Sequence, residues 1–249
     1  MHTFGSLLSS SKRLASAGGH CLYLFTVGLL HPVARFRAKQ VCHFLGHFDR
    51  KALLPQVGIS KLVGPDVPVT VRAVSQSNWN VNAFELAVLN ALVVHFKPHR
   101  IFEIGTFDGR TTLNLAANTS PDTLVYTLDL PPGTVNLPGG VQSGERFRST
   151  DVEGRIRPLY GNSFEFDFSP YAGSIDFVFV DAGHAYENVA NDSKVAMQLI
   201  GNRPGVIVWH DYETIAGVTQ AVDELIPTRS KNERFFRIEG TSLACLVRS

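Results

Sequence analysis

The sequence predicts an α/β fold: a doubly wound, mostly parallel seven-stranded sheet that closes in a C-terminal antiparallel hairpin. Three observations lead there. Nearly continuous apolar runs of strand length alternate with segments of helical periodicity, the pattern of a sheet covered on both faces. The first strand, RIFEIG, stops at a glycine turn and restarts at once as the helix RTTLNLAANT. The last two strands, FFRIEG and SLACLVR, have only Gly240 and Thr241 between them, whereas parallel neighbours need a crossover of about a dozen residues, so this pair runs antiparallel.

Residues 1–68 read as an N-terminal arm of one or two helices and a linker, ending where Gly64, Pro65 and Pro68 interrupt regular structure. The main domain is residues 69–249. Its first helix spans residues 82–96, carries Phe84, Leu86, Leu89, Leu92, Val93 and Phe96, and stops before Pro98. Strands follow at residues 100–105, 123–130, 156–161, 175–181 and 205–211, with helices at residues 110–119, 187–200 and 217–225. Between the second and third strands, residues 131–154 make a long, partly Gly/Pro-rich link with a short helix expected near residues 142–147. Links longer than roughly 12–15 residues are often binding loops.

A chain of 249 residues, 44% hydrophobic, fills one large core with an appendage. The formal charge of +1 is unevenly spread: residues 1–51 hold seven Lys or Arg against Asp49 alone, giving +6, and the remainder is −5. The mildly acidic body argues against nucleic acid as a partner. The basic arm is expected to be a solvated terminal segment, with peripheral membrane contact as the minority reading. Cys21, Cys42 and Cys245 are odd in number and widely spaced, which suits a reducing compartment and no structural zinc. The apolar run CLYLFTVGLL is about half the roughly 20 residues that a bilayer requires, and no small-residue cleavage site follows it, so a cytoplasmic location is expected.

In doubly wound sheets ligands bind beyond the carboxyl ends of the strands. The polar residues of interest fall there. Gly105 and Gly109 are four apart, which is not the dinucleotide pattern G-x-G-x-x-G, and no Gly-Lys-Ser/Thr follows as a phosphate loop requires. Glu103 closes the first strand, where its carboxylate is expected to accept hydrogen bonds from the glycine-loop amides; a structural cap is the alternative. Asp129 ends the second strand, 24 residues after Gly105, where it suits a pair of ribose hydroxyls. Asn162 and Ser163 end the third, facing an adenine edge or serving as ordinary turn residues. Asp181 and His184 end the fourth, and His210 and Asp211 the fifth. Sequential βαβ units are usually neighbours, so these four converge. Such donors suit a divalent cation, with carboxylates favouring magnesium or manganese and imidazole tolerating manganese, iron or zinc. The alternatives are that Asp181 binds only a ligand's amine and that His210 is a core histidine.

RIFEIGTFDGRTT resembles the first motif, E-x-G-x-x-x-G, of class I S-adenosylmethionine (SAM)-dependent methyltransferases, in which the glycine turn lies under the methionine part of the cofactor. VDAGHAYENVANDSKVAMQLI followed by GVIVWHDY is similar to the D-x-x-H-x-Y-E and H-D-Y signatures of the Methyltransferase-24-like families. These include macrocin-type sugar O-methyltransferases, with catechol O-methyltransferase as a more distant relative. The likeness spans about residues 80–247. It implies a SAM site built from Glu103, Gly105, Thr106, Phe107, Gly109, Thr111, Asp129, Asn162, Ser163 and Asp181. It also implies a metal, Mg2+ or Mn2+, on Asp181, His210 and Asp211, with His184 as catalytic base beside Asp181. The chain departs from the pattern at His210, where the macrocin-type enzymes carry a carboxylate, so the expected ligand set loses one negative charge.

The function implied is SAM-dependent O-methylation of a small-molecule hydroxyl, a sugar ahead of a phenol. Acceptor choice is expected to fall to the 131–154 link, where Arg146, Arg148, Arg155 and Arg157 are candidates for an anionic group, and to Trp79 and Asn80. Trp79 is read either as a shelter for the ligand or as a core residue. Relatives of this type often associate through N-terminal arms, so a homo-oligomer is expected. Two other readings stand beside this one: an NAD(P)-dependent reductase, favoured by Asp129 alone, and a non-catalytic binding protein that retains the fold.

Overall fold

The computed structural model describes residues 52–77, 79–134, 140–228 and 230–249, together with Gly19, Leu22, Tyr23, Thr26 and Leu30. Most of the expected helical arm, residues 135–139 of the long link, Cys21 and Cys42 lie outside the described residues. The chain divides into two compact units, residues 1–51 and residues 52–249, and the sheet lies in the second.

In chain order the elements are strand β1 (Gln56–Val57), helix α1 (Ile59–Val63), α2 (Ala83–Phe96), β2 (Arg100–Ile104), α3 (Arg110–Ala117), β3 (Leu124–Asp129), β4 (Ile156–Tyr160), β5 (Phe177–Val180), α4 (Tyr186–Ile200), β6 (Gly205–Trp209), α5 (Ala216–Asp223), β7 (Glu233–Ile238) and β8 (Ala244–Arg248). They build one sheet of order β1-β7-β8-β6-β5-β2-β3-β4. The seven expected strands are present, and β8 runs antiparallel to both β6 and β7. An eighth, β1, pairs parallel with β7 from within the segment read as linker; two residues are too few to show a strand period. The helix expected near residues 142–147 is a single 3-10 turn, Glu145–Phe147.

Alternation at period two buries both faces of the central strands. Phe102, Ile104, Val178, Val180, Ile207 and Trp209 pack with Val189, Ala196 and Leu199 of α4 and Val218, Ala221 and Val222 of α5. Ile101, Phe177, Phe179, Val206 and Val208 pack on the other face with Leu86, Leu89, Leu92 and Val93 of α2 and Leu113 of α3. α2 begins with a capping box, in which Asn82 Oδ1 accepts from Glu85 N at 2.9 Å and Asn82 N donates to Glu85 Oε2 at 3.3 Å.

The register positions the site. Ile104 pairs with Leu128 on one side and Val180 on the other, and Val180 pairs with Trp209. The residues that follow this row, Gly105, Asp129, Asp181 and His210, therefore emerge side by side from four adjacent strands. The row crosses the β2/β5 boundary, where strand order reverses, the place at which open α/β sheets form their ligand crevice.

Candidate active site

A cavity of about 660 Å³ opens at this edge. Its wall includes Gly105, Thr106, Phe107, Thr111, Asp129, Asn162, Ser163, Asp181, His184, His210 and Asp211, eleven of the thirteen expected site residues. The two others, Glu103 and Gly109, are not on the wall.

Gly105 has φ +105, and a Cβ there would lie 2.1 Å from the Asp181 carbonyl oxygen. Only glycine lets β2 turn while β5 passes this close. Gly105 N donates to Leu128 O at 2.9 Å, which ties the turn to β3. Gly109, at φ +81, begins α3 and packs against Phe147 and Gly144, so its part is to seat the helix beneath the cavity. Asp129 fixes the same turn from the side: Oδ2 accepts from Phe107 N at 2.8 Å and Oδ1 from Leu130 N at 2.8 Å. A carboxylate oxygen has two lone pairs, so Oδ1 can accept one further hydrogen bond. The amide partner expected for Glu103 thus belongs to Asp129 instead.

Glu103 is fully buried below the turn, where Thr112 and Thr127 hydroxyls donate to its Oε2, the latter at 2.6 Å. Among the described residues its Oε1 has no hydrogen-bond partner. Burial pushes this carboxyl up to about 8 against the help of the two threonines. These hydrogen bonds make it a structural support under the glycine turn.

Four titratable side chains meet on the other side of Asp181. His184 Nε2 lies 2.9 Å from Asp211 Oδ2 and 3.7 Å from Asp181 Oδ1. His210 Nδ1 lies 3.2 Å from Asp181 Oδ1 and 3.3 Å from Asp211 Oδ2. Asp211 sits at φ +62, a left-handed turn that aspartate tolerates and that swings its carboxylate back toward the β5 end. Hydrogen bonds to Asp181 and Asp211 push His184 up to about 9. His210 is raised as well, because the neighbouring carboxylates, Asp181 first, overcome its burial. Asp181 and Asp211 are both held below the usual carboxylate range, burial opposing and the two histidines prevailing. One ligand atom each from Asp181, His210 and Asp211 fall within 4.8 Å of one another, so these three residues can share one cation.

Four residues that the sequence reading did not single out belong to this region. Glu85, 4% exposed, reaches His210 Nε2 at 3.1 Å from the first turn of α2. Asp108, buried on the wall, accepts from Asn80 Nδ2 at 2.9 Å and Arg146 Nε at 2.6 Å. Asp192 and Asn188 add polar groups from α4, and burial raises Asp192. The helical period marked only the apolar face of α4, and polar residues turned to a strand end carry no such mark.

The 131–154 link is tied to the glycine turn by Gly144 N to Phe107 O at 2.8 Å and Arg146 N to Asp108 O at 2.9 Å. Three of the four candidate arginines are committed elsewhere: Arg146 to Asp108 and Ser75, Arg155 to the Ser120 and Ala116 carbonyls, Arg157 to the Gly154 and Ile156 carbonyls. Trp79 stands 66% exposed at the cavity wall, which removes the core reading.

Residues 102–212 match a family model described as a methyltransferase domain. This part of the chain is similar to methyltransferase domains. Solved structures similar to it include the O-methyltransferase TomG from Streptomyces achromogenes, involved in tomaymycin synthesis and in complex with SAM, at 20% identity and TM-score 0.54, covering 69% of this chain and 82% of that one. An O-methyltransferase from Bacillus cereus in complex with SAH matches at 19% identity and TM-score 0.53 over 70% and 84% of the two chains. The SAH-bound methyltransferase PaMTH1 from Podospora anserina matches at 17% identity and TM-score 0.52 over 84% and 86%. At these identities the likeness establishes the methyltransferase fold. Among curated proteins, none matches the sequence.

Proposed function

We infer that the chain is a SAM-dependent O-methyltransferase acting on a hydroxyl of a small molecule, a sugar or glycosylated metabolite ahead of a phenol. The observation that carries this is the shared row of strand ends. It gives one cavity a glycine turn and the Asp129 carboxylate on one side of Asp181 and a His/Asp cluster on the other. The donor's residues fit: Asp129 Oδ1 offers a lone pair to a ribose hydroxyl, and Asn162 and Ser163 stand beside it for the base. The cluster's two carboxylates and one imidazole fit a divalent cation.

SAM supplies a methyl group already activated on a sulfonium, so the chain's task is to align an acceptor oxygen and remove its proton. A cation on Asp181, His210 and Asp211 would supply a lowered hydroxyl pKa. With those carboxylate oxygens shared, His184 would lose the two interactions that raise it and would have a lone pair at Nε2, which faces the cluster. His184 then accepts the acceptor's proton. The 131–154 link, held to Phe107 and Asp108, borders the glycine-turn side, and Trp79 lines the same cavity.

A cytoplasmic location is part of this proposal and rests on thiol chemistry: Cys245 is a buried free cysteine. Among the described residues no helix is long and apolar enough to cross a membrane. The test of function is transfer of an isotopically labelled methyl from SAM to panels of sugars, glycosides and phenols, with and without chelator. Label on a sugar hydroxyl, lost on chelation, is the expected result. Label on phenols alone would replace the acceptor class, and SAH binding without transfer to any acceptor would favour the non-catalytic reading.

A further inference from the structure

His210 is held from both ring nitrogens, and its second partner comes from far away in the chain. Its Nδ1 points between Asp181 and Asp211, at 3.2 and 3.3 Å. Its Nε2 meets Glu85 Oε2 at 3.1 Å, and 125 residues separate the pair. Glu85 is itself immobilised: Oε1 accepts from Ser242 N and Ser242 Oγ, both at 2.7 Å, and Oε2 accepts from Asn82 Nδ2 at 2.6 Å. A capping-box glutamate is ordinarily a solvent-exposed helix end. Here it is 4% exposed, and Ser242 of the β7/β8 hairpin locks it against the end of β6.

We propose that Glu85 is a positioning residue for a metal centre: it keeps the His210 proton on Nε2, leaves Nδ1 as a ligand beside Asp181 and Asp211, and thereby fits the site to a borderline divalent ion over magnesium. The chemistry is general. An imidazole that ligates through one nitrogen usually donates the other N–H to a carboxylate or carbonyl, which fixes tautomer and ring orientation. Magnesium takes oxygen ligands in a strict octahedron, whereas manganese, iron, cobalt and zinc accept a mixed nitrogen and oxygen set. A glutamine in place of Glu85 can present either its oxygen or its amide nitrogen to Nε2, so it no longer dictates the tautomer. This inference deepens the methyltransferase reading and rests on it for the purpose of the metal.

The experiment titrates manganese(II) into the full chain and reads pulsed EPR for nitrogen hyperfine modulation from a directly bound imidazole, with magnesium as competitor. The wild type is expected to bind manganese with that modulation and to keep it against a large excess of magnesium. Glu85→Gln should weaken manganese binding by about 10- to 100-fold and lose the modulation, while SAH binding stays as in the wild type. Should that variant fail to fold, Ser242→Ala loosens Glu85 without touching the capping box; because Ser242 Oγ also accepts from Asp211 N at 3.3 Å, it is read by the nitrogen modulation as well as by affinity, and a smaller fall in both is expected. Undiminished binding in both variants, absence of the nitrogen signal, or preference for magnesium overturns the proposal. So does a chain that binds SAH but no manganese. Manganese held through His210 without SAH binding would instead keep the proposal and overturn the methyltransferase reading.

Discussion

The two halves of the cavity are built by different means. On the β2/β3 side, backbone does the shaping: Gly105 at φ +105, the Asp181 carbonyl beside it, and loop amides pinned by Asp129. On the β5/β6 side, side chains do it: Asp181, His184, His210, Asp211 and the distant Glu85 neutralise and orient one another. A backbone-built half serves any member of a fold and tolerates little change. A half built from side chains can be retuned residue by residue, and His210 is a case of it.

If the halves are separate in this way, His184→Ala should damage only one. Turnover is expected to fall by about 10²- to 10⁴-fold, the usual worth of general base catalysis, while SAH affinity measured by calorimetry holds. A parallel fall in affinity would mean that the halves are not independent. Gly105→Ala probes the other side. The added methyl meets the Asp181 carbonyl, and left-handed backbone costs a further 1–3 kcal/mol, roughly, so SAH binding should weaken on the order of a hundredfold and the melting temperature should drop. Because Asp181 belongs to both halves, this variant should also disturb turnover.

Asp129→Asn is milder. It keeps the shape, loses the charge and is expected to cost about tenfold in SAH affinity with little effect on metal binding. The smallest effect sought is on stability alone. Glu103 has its pKa raised on folding, from an ordinary 4.5 to about 8, so between those values the folded state binds more protons than the unfolded one. Stability contributed by this group is therefore fully present below about 4.5 and declines as pH rises toward 8. Glu103→Gln should flatten that decline in urea melts followed across the range; an unchanged slope would place the pH dependence elsewhere.

The sequence carried the backbone half almost completely. Glycine spacing, strand length and the short Gly240–Thr241 connection depend on local chain geometry, which composition and period express directly. It also carried Asp181, His184, His210 and Asp211, because strand ends can be counted. What it did not carry were contacts made across the fold. Glu85 reads as a plain capping-box residue until Ser242 and His210 are seen against it. Asp108 reads as a loop acid until Arg146 is found paired to it, and the same pairing removes Arg146 from the candidates for substrate. Glu103, taken for a partner of the loop amides, lies beneath them because two threonine hydroxyls face it from α3 and β3. The strand β1 was missed for its shortness.

The central claim is that the β2/β3 half of the cavity holds a SAM-type donor. Isothermal titration of the full chain with SAH and with NADH, repeated on Asp129→Asn, tests it most directly. The account predicts saturable SAH binding that weakens in the variant, and no response to NADH. Tight NADH binding with no response to SAH would contradict it.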